Sequence, residues 1–280
     1  MKMTEVCVNC QLGKQAKRFT RPGEMEIVRR MMAEKDEEAC APYMSYCFNQ
    51  LYRQLYNVPP HSYAEEKKQY NDLVLSMEDA LLERIESSED PLRTALFLSR
   101  TGNYIDFSAL PDVSTEEFLD LLSVENTSEA DQRTWLFFLE SLEKAGSFLL
   151  IADNCGEIVL DKLFLVELKK RFPQLSLSVM VRGAEVINDA TPEDAAYVGI
   201  DQVARILNSG EPMAGILPDR LPEDARHALD HTDVILAKGQ GNYESLAGHG
   251  RHVFYLFLCK CEVFTERFRV PPLTGMFISE

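Results

Sequence analysis

No apolar run in this chain approaches the roughly 20 residues that a membrane-spanning helix needs. Met1 to Cys10 has no hydrophobic signal core either, and the expectation is a cytoplasmic protein with no membrane partner. Positive charge is scarce: 29 Lys and Arg against 45 Asp and Glu leave a net charge of −16, with no basic patch of useful size. That balance repels nucleic acid and anionic membranes, and it suits a small anionic metabolite met by a few placed cations. Clustered histidine is missing: His249 and His252 flank Gly250-Arg251 between a helix and a strand and read as solvated. The seven cysteines are an odd number, which argues against a disulfide framework. Cys7-Val8-Asn9-Cys10 has the spacing of half a zinc site or a redox pair, but no second C-x-x-C exists. Cys259 with Cys261, or Cys40 with Cys47, would be unusual partners for it, and plain buried thiols are the alternative. There is no internal repeat, no low-complexity linker and no P-loop, since Lys238 precedes Gly239 and Gly241 instead of coming after them.

What remains is a chain of 280 residues, long enough to bury a sizeable core as one large domain or two small ones. From about Glu24 to Lys144 the pattern is helical. Glu26 to Lys35, Pro42 to Tyr56 and, more weakly, Ser62 to Ser87 carry apolar residues at three- and four-residue spacing. Asp90-Pro91 offers an N-cap with proline next to it, and Ser114-Thr115-Glu116-Glu117 resembles a capping signal. Glu129 to Lys144, with the only tryptophan, Trp135, completes the helical set. After Gly146 strands and helices alternate, the strand candidates being Phe148 to Ala152, Leu175 to Val181, Val203 to Leu207, Val234 to Ala237 and Val253 to Leu258. The expected fold is therefore a three-layer α/β/α unit with a mostly parallel sheet over residues 146–280, preceded by an N-terminal helical bundle over 1–145.

Each strand candidate ends in polar or flexible residues. Asp153-Asn154 comes after the first, Arg182-Gly183 after the second, Asn208-Ser209-Gly210 after the third, Lys238-Gly239-Gln240-Gly241-Asn242 after the fourth and Cys259-Lys260-Cys261 after the fifth. In a parallel sheet these ends share one edge, where doubly wound folds bind ligands. Asp153 and Glu157, joined by Asp189 and Asp194, would repel one another there unless a cation neutralised them. Carboxylate and amide oxygens without histidine favour a hard divalent ion such as Mg or Mn over zinc. Thr191 and Pro192 read instead as helix-capping residues. Arg182, Lys238 and Lys260 supply cations suited to a phosphoryl group, although a lone Lys or Arg is more often a solvated surface charge. Together these residues point to metal-assisted phosphoryl chemistry, with Asp153 at the strand tip as the candidate nucleophile if the route is covalent.

Three stretches carry a resemblance: Asp153-Asn154-Cys155-Gly156-Glu157 with Asp161, then Arg182-Gly183 with Asn188-Asp189-Ala190-Thr191 and Asp194, then Asp233 through Glu244. With Gly102-Asn103-Tyr104-Ile105-Asp106-Phe107, the opening C-x-x-C and Lys260-Cys261, they resemble the damage-control phosphatases of the domain-of-unknown-function-89 group, especially its compact archaeal-type branch. The resemblance implies a metal-dependent phosphatase acting on a small phosphorylated metabolite, with one divalent metal (Mn, Co, Ni or Mg) held by Asp153, Asn154 and Asp189. It implies catalytic roles for Asp153 and Asp189. Substrate contacts are expected at Glu157, Arg182, Asn188, Lys238, Gln240, Gly241, Asn242 and Lys260, with Asn103 joining from the helical half. A larger branch is proposed to methylate protein carboxyl groups; its Arg-Thr-x-Lys ending is replaced here by Phe257-Leu258-Cys259-Lys260. An S-adenosylmethionine-dependent methyltransferase and a non-catalytic binder of metal and phosphometabolite stand as the alternatives.

Overall fold

Residues 1–58, 61–104 and 128–280 are described by the structure, a computed structural model. Helices α1 (Glu5–Ala16), α2 (Glu24–Ala33) and α3 (Ala41–Tyr56) open the chain around a small core of Phe19, Val28 and Phe48. Thr4 caps α1 by accepting from the Cys7 N–H at 3.2 Å. No hydrophobic period announces this helix, because its buried residues are Cys7, Gln11 and Gln15. The long weak stretch before Ser87 is two helices, α4 (Ala64–Leu75) and α5 (Glu78–Glu86). Helix α6 (Pro91–Gly102) starts as anticipated, with Asp90 accepting from the Arg93 N–H at 3.2 Å and Pro91 in the first turn. Helix α7 (Glu129–Lys144) has a capping box between Ser128 and Asp131, and Asp131 also meets the buried Arg100 at 3.0 Å. The capping signal at Ser114 and the residues Ile105-Asp106-Phe107 lie outside the described residues.

A six-stranded sheet completes the fold: β1 (Ser147–Ile151), β2 (Ser176–Val181), β3 (Arg205–Asn208), β4 (Val234–Lys238), β5 (Phe254–Leu258) and β6 (Gly275–Ser279). The helices between them are α8 (Glu157–Arg171), α9 (Pro192–Tyr197), α10 (Glu223–His231), α11 (Gly239–Leu246) and α12 (Glu262–Phe268). Strand order is β3-β2-β1-β4-β5-β6, and every pairing is parallel except that of β6, which runs antiparallel on β5. The antiparallel edge strand was not expected from the sequence. Thr191 and Pro192 do cap α9, through a capping box with Asp194.

Alternation along the strands sorts the core into two faces. Phe148, Leu150, Val179, Leu236 and Leu256 point to one side, while Leu149, Ile151, Met180, Ile235 and Phe257 point to the other. The first face packs against residues of α4 to α8, including Leu96, Phe138 and Phe164, and the second against residues of α10, α11 and α12. Phe138 meets Phe148, Phe254 and Phe277 edge-on at centroid separations of 6.2, 4.9 and 5.6 Å, contacts of about 0.5–1.5 kcal/mol each beyond burial. The change of pattern near Gly146 is thus no break in packing, for the larger core draws on both sides of it. Among the described residues no helix is long and apolar enough to cross a membrane.

Candidate active site

Strand order reverses between β1 and β4: β2 and β3 lie to one side of β1, and β4 and β5 to the other. At such a point the loops leaving two adjacent strands diverge and open a crevice. Asp153 leaves β1 there, just ahead of α8, and its carboxylate lies against the first residue of α11. A β-carbon on Gly239 would stand 1.9 Å from Asp153 Oδ2, and Gly239 has φ +76°. The glycine therefore makes room for the carboxylate at a helix N-terminus, where unpaired N–H groups favour negative charge. Gly241 makes room for protein as well, since a β-carbon there would meet the Ala214 carbonyl at 2.2 Å. The run Gly239-Gln240-Gly241-Asn242 that comes after β4 forms the first turn of α11.

The Asn188–Ala190 segment is zipped onto the same crevice by backbone hydrogen bonds. Cys155 N–H donates to Asn188 O and Ala190 N–H to Asp153 O, each at 2.8 Å. Asn154 and Asp189 form an isolated antiparallel bridge. Arg182, fully buried, ties the acidic side chains together: it donates to Asp189 Oδ2 at 2.6 Å, to Asn242 Oδ1 at 2.8 Å and to Asp153 Oδ1 at 3.2 Å. Asn103 from the end of α6 donates to Asp153 Oδ2 and Glu157 Oε2, both at 3.0 Å. The Asn154 amide donates to the same two oxygens at 2.9 and 3.0 Å.

A second layer lies beneath. Alternation puts Lys238 on the same face of β4 as Leu236, under α6 and α8. Its ammonium meets Glu157 Oε1 at 2.7 Å, Asp161 Oδ1 at 2.6 Å and Ser99 Oγ at 2.7 Å, with no surface exposed. Burial pushes the Asp161 carboxyl up to about 6, with Lys238 opposing and Glu157 adding to the shift. Burial pulls the Lys238 ammonium down, but Asp161 and Glu157 outweigh it and hold it above its ordinary value.

Outside these layers is a cavity of about 520 Å³, within the size range of small-molecule sites. Asp153, Asn154 and Asp189 line it, as do Gln240, Gly241 and Lys260. Its remaining wall comes chiefly from α1 and α3, through Gln11, Lys14, Ser45, Tyr46 and Asn49, with Glu244 from α11. Burial pushes the Glu244 carboxyl up to about 7 against the pull of the N-terminal ammonium and Lys14.

The sequence-derived residues thus divide in two. Asp153, Asn154, Asp189, Gln240, Gly241 and Lys260 reach the cavity, whereas Asn103, Glu157, Arg182, Asn188, Lys238 and Asn242 are buried behind it. The pairing of Arg182 and Lys238 with phosphate, expected from their place after strands, is replaced by pairing with carboxylates. Asp194 stands apart, meeting Lys67 at 2.5 Å and capping α9. The seven cysteines are free thiols; Cys7, Cys10 and Cys261 line the cavity, and burial raises the Cys155 thiol well above its ordinary range.

The sequence profile of the damage-control phosphatase ARMT1-like domain matches residues 7–272. The chain belongs to this family. A damage-control phosphatase of Archaeoglobus fulgidus is 31% identical over 277 residues, covering 94% of this chain and 93% of that protein. Another, from Pyrococcus horikoshii, is 27% identical and covers 97% and 96%. The crystal structure of a DUF89 family protein from Pyrococcus horikoshii shares the fold, with a TM-score of 0.80 over 99% of both chains at 22% identity. Damage-control phosphatase membership supports a phosphatase acting on damaged metabolites. The family match covers the floor of the cavity and, on α1 and α3, nearly all of its wall, which sequence motifs did not reveal as part of the site.

Proposed function

We propose that this chain is a metal-dependent phosphatase hydrolysing phosphate monoesters of small metabolites, sugar phosphates or related damaged phosphometabolites, with one divalent ion at Asp153, Asn154 and Asp189. One observation carries the reading. Among the described residues, four buried carboxylates (Asp153, Glu157, Asp161, Asp189) face two buried cations (Arg182, Lys238), an acidic surplus beside a metabolite-sized cavity. Gathering buried charge of one sign is costly, and a divalent cation would lower that cost. Among the described residues no three His, Cys, Asp or Glu side chains are grouped to hold a metal by themselves. The proposed set has two carboxylates and an amide, leaving other positions to water and substrate, as suits a hard or borderline ion.

When bound, a divalent ion supplies Lewis acidity to a phosphoryl oxygen. The chain's own groups do the rest. Arg182 fixes Asp153 and Asp189 in one orientation, and the amides of Asn103 and Asn154 fix the other oxygen of Asp153. Lys260, beside the cavity, is placed to offset phosphoryl charge as it develops. Asp153 presents its carboxylate to the cavity either as an anchor or as a nucleophile.

Protein stripped of metal and assayed on p-nitrophenyl phosphate and a sugar-phosphate panel, with Mn, Co, Ni or Mg restored singly, tests this. Metal-dependent phosphate release is expected, and Asp153→Ala should lower kcat about 100-fold or more. Full activity in that variant, or in chelator without metal, would sink the reading.

A further inference from the structure

Gln11 on α1 and Ser45 on α3 line the same cavity as Asp153 and Asp189. Gln11 Nε2 donates to Ser45 Oγ at 2.8 Å. Only 9% of Gln11 is exposed, and its Oε1 accepts no hydrogen bond among the described residues. Buried amide oxygens are rarely left without a donor in a native interior. The Ser45 hydroxyl, an acceptor toward Gln11, keeps its own proton to give. Turning the amide over preserves the arithmetic: Ser45 then donates to Oε1, and the pair keeps free N–H groups and a hydroxyl lone pair.

We infer that Gln11 and Ser45 form a subsite that reads a hydroxyl group on the organic part of the substrate, a role that rests on the phosphatase reading above. A hydroxyl is both donor and acceptor and satisfies the pair in either orientation. An apolar group would leave the buried amide unpaired. A phosphate presents acceptors alone, so it leaves Oε1 bare in the first orientation and is met only by the turned amide's N–H groups. With the phosphate held toward Asp153 and Lys260, the subsite also orients the substrate, its hydroxyl toward α1 and α3. Discrimination of this type is strong for its size, because the wrong substrate strands polar groups that the right one pairs.

The test compares glycerol phosphate, which carries hydroxyls, with p-nitrophenyl phosphate, which carries none, using the full-length protein supplied with its activating metal. Gln11→Leu should lower the ratio of kcat/KM for the two substrates roughly five- to tenfold, the loss for glycerol phosphate falling on KM more than kcat. Ser45→Ala should lower it in the same direction and carries the test if Gln11→Leu does not fold, as judged by thermal melting. A ratio unmoved in the folded variants, or an equal loss of kcat on both substrates, overturns the subsite while leaving the phosphatase reading intact. Wild-type protein that turns over neither substrate overturns that reading, and the subsite falls with it.

Discussion

At the floor of the cavity Arg182 sits among Asp153, Asp189 and Asn242, and Lys238 among Glu157, Asp161 and Ser99, all at hydrogen-bond distance, with both cations themselves out of contact with water. On the wall, the Gln11 side chain bonds to Ser45 alone among the described residues, and Tyr46 reaches Glu211 only at 3.4 Å. The floor rests on the main sheet and its larger core. The wall rests on three helices with a small core of their own. A reaction centre must hold charged groups in one geometry, which demands mutual pairing and burial. A surface that selects substrates needs only to present groups and can change without disturbing what lies beneath. The two regions should therefore differ sharply in what substitution does to stability.

Lys238→Met should show the largest difference between floor and wall. Removing the ammonium leaves Glu157 and Asp161 together in a dry layer, and one partner lost from a buried ion pair costs about 3–5 kcal/mol. Denaturant unfolding should show a shift of that order, whereas Lys260→Met, on the partly open side, should change stability by under about 1 kcal/mol and act on KM. An unchanged unfolding midpoint in Lys238→Met would mean that this lysine serves substrate and not the floor. Gly239→Ala is next. Its backbone is left-handed, and the new methyl would lie on Asp153 Oδ2, so a loss of about 2–4 kcal/mol is expected together with activity.

Glu244 stands between the regions, on α11 but facing the cavity. Its folded pKa of about 7 lies above the ordinary carboxyl value of 4.5, so between those values the folded chain holds a proton that the unfolded chain releases. Stability from this group is highest below about pH 4.5 and is lost as pH rises through 7. Glu244→Gln lacks the effect. Its stability should match wild type near pH 4.5 and exceed it by on the order of 1–2 kcal/mol at pH 8, as read from melting curves across that range. A constant difference at all pH values would show that Glu244 is already ionised in the fold.

The contrast also explains what was legible in the chain. Asp153, Asn154, Arg182 and the Lys238–Asn242 run could be read because each comes after a short apolar strand, and a parallel sheet gathers such ends on one edge. Their order could not: placing β4 beside β1 is a matter of crossover and packing that no local pattern encodes. Nor could the side taken by Lys238, which depends on the strand continuing through that residue so that alternation carries it under α6. The edge strand β6 lacked a signal as well. The wall was hidden for another reason, since α1 buries Gln11 and Gln15 on its inner face, and polar residues at helical spacing look like a solvated stripe until a neighbouring helix is seen to cover them.

The smallest effect is expected at Asn49, on the wall and facing the cavity, whose side chain has no hydrogen bond or ion pair among the described residues. Asn49→Ala removes no interaction that the fold uses, and asparagine is a poorer helix former than alanine by some tenths of a kcal/mol. Stability should therefore stay within about 0.5 kcal/mol of wild type or rise slightly, in line with substitutions outside packed networks. Urea unfolding of this variant beside Lys238→Met gives the comparison its sharpest form. A loss above about 1.5 kcal/mol at Asn49 would place the wall within the same cooperative network as the floor, and substrate selection could then not vary independently of the reaction centre.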